Sequence, residues 1–90
     1  MSRYRVELTR AAGRDLDRLT ARDFAAVGQR IDALAADPRP PGAAKLKGRN
    51  EYKLRVGRFR VVYDVQDERL VVLVMAVDDR KQVYQRLRRR

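Results

Sequence analysis

The feature that most constrains this chain is Gly57-Arg58, set between two alternating runs, YKLRV and FRVVYDV. Glycine first in a two-residue loop suits a type II′ turn, and so short a loop fixes how the flanking strands pair. Val56 then faces Phe59, Arg55 faces Arg60, Leu54 faces Val61, Lys53 faces Val62 and Tyr52 faces Tyr63. Alternation sends Tyr52, Leu54, Val56, Phe59, Val61, Tyr63 and Val65 to one face for burial. Lys53, Arg55 and Arg60 point the other way, with no carboxylate placed to neutralise them. Like charges directly across strands destabilise a sheet by a few tenths of a kcal/mol or more. Such a cluster is expected where the charges have a use.

The rest of the chain supplies a body for this hairpin. Tyr4, Val6 and Leu8 alternate with charged residues as in a half-buried strand. Thr9 offers a helix N-cap, and Ala12, Leu16 and Leu19 follow at helical spacing. Thr20 opens a second helix with Asp23 in the capping-box position, and Phe24, Val27, Ile31 and Leu34 form its apolar stripe. That helix ends near Asp37, because Pro38, Pro40 and Pro41 cannot continue it. The segment PRPPGAAKLKGRN reads as a loop. After the hairpin, LVVLVMAV (Leu70 to Val77) is apolar throughout and belongs inside the sheet. A four-residue loop, QDER, turns it back beside Phe59–Val65, so that Arg80 returns to the neighbourhood of Gly57 and Arg60. The order is β-α-α-β-β-β. It predicts a single α+β domain over residues 1–90, an antiparallel sheet with an N-terminal helical hairpin packed on one face.

Composition narrows the chemistry. The 90 residues contain no cysteine and no histidine, which removes thiol catalysis, disulfides, cysteine-based metal sites and the usual neutral-pH acid–base group. Any reaction must use Lys, Arg, Tyr, Asp or Glu, and no cofactor is called for. The formal net charge of +10 is unevenly spread: residues 43–60 hold seven basic and one acidic side chain, and residues 80–90 hold six basic and none acidic. A polyanion is the natural partner, with nucleic acid ahead of a membrane surface, since no amphipathic membrane helix is evident. The longest apolar run falls far short of the roughly 20 residues needed to span a bilayer, and MSRYRVELTR lacks the apolar core of a signal peptide. Together with the lack of cysteine, this predicts a soluble cytoplasmic protein.

The sheet geometry gathers Lys53, Arg55, Arg60 and Arg80 around one patch, with Tyr84 close enough to hang over it. Lys45, Lys47, Arg58 and Lys81, from the same two basic blocks, are candidate RNA contacts. In this order and spacing, the D-P turn after the helix pair, Leu46-Lys47-Gly48, the YKLRVGRFRVVY hairpin and the closing RKQVY resemble the RelE/ParE superfamily of bacterial type II toxins. The likeness is greatest to its RelE-like branch and covers almost the whole chain. It implies a ribosome-dependent mRNA endonuclease, held silent by a cognate antitoxin that is short, acidic and helix-rich. The toxin–antitoxin complex, rather than the toxin alone, would contact operator DNA. RelE-like sites use lysines on the first hairpin strand, an arginine on the second, and an arginine and tyrosine near the C-terminus. Lys53, Arg60, Arg80 and Tyr84 look like those positions, and Arg55 stands where some relatives have a second lysine.

Metal-free RNA cleavage requires a base for the ribose 2′-hydroxyl, stabilisation of charge on the phosphate, and a proton for the departing 5′-oxygen. Arg60, helped by Arg55, suits the phosphate because a guanidinium fork pairs with its oxygens. Lys53 is the candidate base, since crowded cations disfavour its charged form. By family analogy Arg80 would serve the leaving oxygen, and Tyr84 would stack on or orient a base. The alternative within the superfamily is a ParE-like inhibitor of DNA gyrase that does no chemistry, although ParE-like relatives do not share the full set. A basic DNA-binding module is the weaker alternative, because no recognition-helix pattern appears.

Overall fold

The computed structural model describes residues 3–48 and 50–80, and they form an α+β domain. Its elements are β1 (Arg5–Leu8), α1 (Arg10–Asp17), α2 (Ala21–Ala33), β2 (Ala44–Lys45), β3 (Glu51–Val56), β4 (Phe59–Gln66) and β5 (Val71–Asp78). Both helices begin where threonine caps them: the Thr9 hydroxyl accepts from the Ala12 N–H and the Thr20 hydroxyl from the Asp23 N–H, each at 3.1 Å. The strand order is β1-β5-β4-β3-β2, so the apolar strand β5 is interior, as its composition requires.

The hairpin register is the one its loop length dictates, from Val56 opposite Phe59 to Tyr52 opposite Tyr63. Gly57 has φ +61°, and Arg58 is not among the positive-φ residues, which is the signature of a type II′ turn. The alternation also falls as expected. Leu54, Val56, Phe59, Val61 and Tyr63 are buried in one cluster with Val72, Val74, Val77 and the helix residues Ala12, Leu16, Val27, Ile31 and Leu34. Phe24 is the exception on its stripe: it is 49% exposed. The buried set Val27, Ile31 and Leu34 is narrow, and at 100° per residue Phe24 falls just outside it.

Three details differ from the antiparallel sheet and the loops expected from the sequence. The sheet is mixed, because β1 lies parallel to β5 while every other pairing is antiparallel. The proline-rich segment contributes the two-residue strand β2, which pairs Ala44 with Lys53 and Lys45 with Tyr52. The loop between β4 and β5 is Asp67 to Leu70, one residue later than QDER, with Leu70 at φ +53°.

The β4–β5 register slips between Val62 and Tyr63, leaving Met75 as an extra residue on β5. Here β1 has ended and α1 takes over its pairing role. The Thr9 N–H donates to the Val74 carbonyl at 2.9 Å, and the Thr9 hydroxyl donates to the Met75 carbonyl at 3.1 Å. Asp15, buried on α1, accepts the Val77 N–H at 2.9 Å.

The end of the domain remote from the hairpin turn is tied by a polar network. Arg39 donates to both carboxylate oxygens of Asp67, at 3.2 and 2.9 Å, and to the Tyr52 hydroxyl at 2.9 Å. The Tyr4 hydroxyl donates to Asp67 at 2.6 Å. Tyr52 stacks on Tyr63 with ring centroids 5.8 Å apart, and the Tyr63 hydroxyl donates to the Pro38 carbonyl at 2.8 Å.

Candidate functional site

The face of the sheet away from the helices carries the cations. Lys53 and Arg55 are exposed on β3, and Arg60 is half-buried on β4. Arg55 and Arg60 are direct cross-strand partners one step from the turn. They form the non-hydrogen-bonded kind of pair, with Cα atoms about 4.5 Å apart, so their side chains leave the sheet together. Lys53 lies between Ala44 and Val62, two small neighbours that leave its stem uncrowded. Beside it on this face, Val62 and Ala76 are fully buried under the partly buried Leu46 and Met75. The patch is therefore a row of cations next to a small apolar floor.

Arg80 sits just past the end of β5, where it lines a cleft with Arg18, Asp23 and Arg58, and the segment carrying it meets Arg60. The Arg60 Nη1 donates to the carbonyl of Asp79 at 3.3 Å, which fastens the β4 arginine to the segment that carries Arg80. Asp78, the cross-strand partner of Arg60, accepts the Arg80 backbone N–H at 3.1 Å, and its Oδ1 stands 3.5 Å from Arg80 Nε. The expectation that no carboxylate borders the cluster is thus corrected. The bulge at Met75 advances β5, and this brings Asp78 opposite Arg60.

The remaining predicted contacts divide. Lys45 is exposed on β2 but is the cross-strand partner of Tyr52, so it stands on the opposite face from Lys53, whereas Lys47 is exposed in the turn that follows. Arg58 goes elsewhere: its guanidinium reaches Asp23 of α2 at 3.4 Å and lies 5.1 Å from the centre of the Phe59 ring, on the helix side. Tyr84 and Lys81 lie outside the described residues. Sequence reasoning missed Asp78, because its place depends on a bulge that no local pattern announces. It also missed the Leu46–Met75 floor, hidden by reading residues 38–50 as plain loop.

Chemically, the arrangement offers cationic donors on one face of the sheet, suited to binding phosphate, beside the partly buried Leu46 and Met75.

Known proteins resemble this chain over most of its length. Residues 6–84 match the family described as ParE toxin of the type II toxin–antitoxin system parDE. The toxin RelG of Mycobacterium tuberculosis is 33% identical over 87 residues, covering 92% of this chain and 98% of RelG. The fold is similar to the crystal structure of the toxin–antitoxin complex RelBE2 from Mycobacterium tuberculosis, with a TM-score of 0.80, 31% identity, and coverage of 89% of this chain and 94% of the other. It is also similar to a mutant of the E. coli toxin RelE in the free state, with a TM-score of 0.79, 25% identity and coverage of 97% of both chains.

Proposed function

The chain belongs to the RelE/ParE superfamily of type II toxin–antitoxin toxins, and from that premise we propose that it is a metal-independent endoribonuclease that cuts mRNA on the ribosome and so inhibits translation. The observation that carries the reading is the convergence of Lys53, Arg55, Arg60 and the Arg80 segment at the hairpin end of one open sheet face. Its nearest support by likeness is RelG and the RelE structures.

In this reading the 2′-hydroxyl of one ribose loses its proton to Lys53 and attacks the adjacent phosphorus. The bond to the 5′-oxygen of the next nucleotide breaks, leaving a 2′,3′-cyclic phosphate and a 5′-hydroxyl. Arg60 and Arg55 hold the phosphate oxygens as negative charge develops, and Arg80 donates a hydrogen bond to the departing oxygen. That oxygen takes up a proton from water to become the 5′-hydroxyl, while the proton on Lys53 returns to solvent. Tyr84 completes the proposed catalytic set, by stacking on or orienting a base, and Lys45, Lys47 and Lys81 contact the flanking backbone. Arg58, engaged with Asp23, is the weakest of the proposed RNA contacts. No group here is a strong base, so most of the rate must come from positioning, which a ribosome gripping its mRNA supplies.

The partners in this reading are the ribosome, mRNA and a cognate antitoxin, and the setting is the cytoplasm. Among the described residues no helix is long and apolar enough to cross a membrane. Solved relatives crystallised as complexes with RelB, which supports a partner of that kind here. Operator DNA would be met through the antitoxin complex.

A second reading, a gyrase inhibitor, has one observation in its favour: the matching family is described by its ParE members. Mapping mRNA 5′ ends after induction separates the two. Cuts within translated frames, lost on Lys53→Ala or Arg60→Ala while the antitoxin still binds, are the expected result. Growth arrest that survives both substitutions, with DNA supercoiling impaired and mRNA intact, would establish the gyrase reading instead.

A further inference from the structure

A carboxylate beside a phosphate site is a liability, since it repels the anion the site is meant to hold. Asp78 is such a group. It is the direct cross-strand partner of Arg60. Its side chain is only 15% exposed, against 73% for Arg80, so it is fixed while its partner projects. The same oxygen that accepts the Arg80 N–H stands 3.5 Å from Arg80 Nε. One acceptor thus sets both the backbone turn and the direction in which the guanidinium leaves it. Arg60 is drawn to the same corner through its bond to the Asp79 carbonyl.

We propose that Asp78 is a positioning residue of the phosphate site, its carboxylate holding Arg80 at the corner that Arg60 reaches through the Asp79 carbonyl, at the expense of ground-state affinity for the polyanion. The proposal rests on reading Arg60 and Arg80 as phosphate ligands. An arginine on a free strand end samples many rotamers, and a leaving-oxygen contact is effective only when held in place. Asp78 removes that freedom and lowers the positive potential of the patch by one charge. Its removal should therefore move binding and catalysis in opposite directions, which loss of a merely structural contact would not do.

The test compares Asp78→Asn with Asp32→Asn, an equal charge change on the exposed side of α2. Asparagine keeps an acceptor for the Arg80 N–H, so the turn persists while the charge is lost. Two quantities are read: affinity for a fluorescent single-stranded 2′-O-methyl oligonucleotide, and single-turnover mRNA cleavage on programmed ribosomes. Asp78→Asn should bind the oligonucleotide about three- to tenfold tighter than the parent and cut at least about tenfold slower at saturation. Asp32→Asn should match the parent in both. Equal behaviour of the two variants, or parallel loss of affinity and rate in Asp78→Asn, overturns the proposal. If the parent protein binds the oligonucleotide but cuts nothing, the nuclease reading falls on its own. The affinity comparison then decides for Asp78: tightening keeps it in the anion site, and no change removes it.

Discussion

At the scale of single residues, the hairpin keeps a like-charge pair that works against its stability. Arg55 and Arg60 repel each other from directly opposed positions, and nothing in the core requires either. Replacing Arg55 with threonine, a good strand former of shorter reach, should stabilise the protein by about 0.3–0.5 kcal/mol. In the same variant mRNA cleavage should fall. Denaturant titration beside a cleavage assay checks this, and a destabilised Arg55→Thr would mean that the pair is not strained as argued. This part of the site was legible because a two-residue loop leaves one register, and register alone assigns faces. The return of the chain end towards Arg60 follows from the strand order, and in the structure it is the Asp79 carbonyl that Arg60 meets. Asp78 reads in sequence as one of two acids at a strand end, and only the folded β5 shows which of them faces the patch.

At the scale of elements, α1 does more than cover the sheet. Where β1 stops, Thr9 and Asp15 take over as partners for the edge of β5, and the bulge at Met75 sits where that handover occurs. Asp15→Ala would leave the Val77 N–H buried without that acceptor and should cost about 1–3 kcal/mol. Because Val77 is next to Asp78, the last residue of β5 and the partner of Arg60, the proposed cleavage should fall with it; urea unfolding and the cleavage assay report the two effects. An Asp15→Ala protein as stable as its parent would show that the bond contributes nothing. The element order, both helix caps and the hairpin could be read from local pattern, since each is decided by residues within a few positions. The parallel β1–β5 pairing, the strand β2 and the bulge could not. The β1–β5 pairing and the Asp15–Val77 bond beside the bulge join groups far apart in the chain, the latter 62 positions, while β2 is only two residues long and too short to show an alternation.

At the scale of the whole molecule, the two ends have different jobs. The end beyond the hairpin turn gathers cations that projecting side chains leave open, while the opposite end is closed by Arg39, Asp67, Tyr4 and Tyr52. There the Arg39 guanidinium, and then the Tyr4 hydroxyl, hold the Asp67 carboxyl below its usual range. Burial pushes Tyr63 up to about 12. The depressed carboxyl contributes stability that is present above its unfolded value and is lost as pH falls through the lower folded value. The raised phenol works at the other limit: its contribution is complete below its unfolded value and disappears as pH climbs through about 12. Arg39→Ala should therefore weaken the acid dependence of unfolding, by a small amount because Arg39 and Asp67 are about half exposed. Identical acid limbs for the parent and Arg39→Ala would remove the pair from the account. The hairpin itself has a last consequence. Since alternate positions along each strand answer to different surroundings, one set to the interior and the other to the outer face, the outer face can be rewritten by evolution while the scaffold under it stays the same.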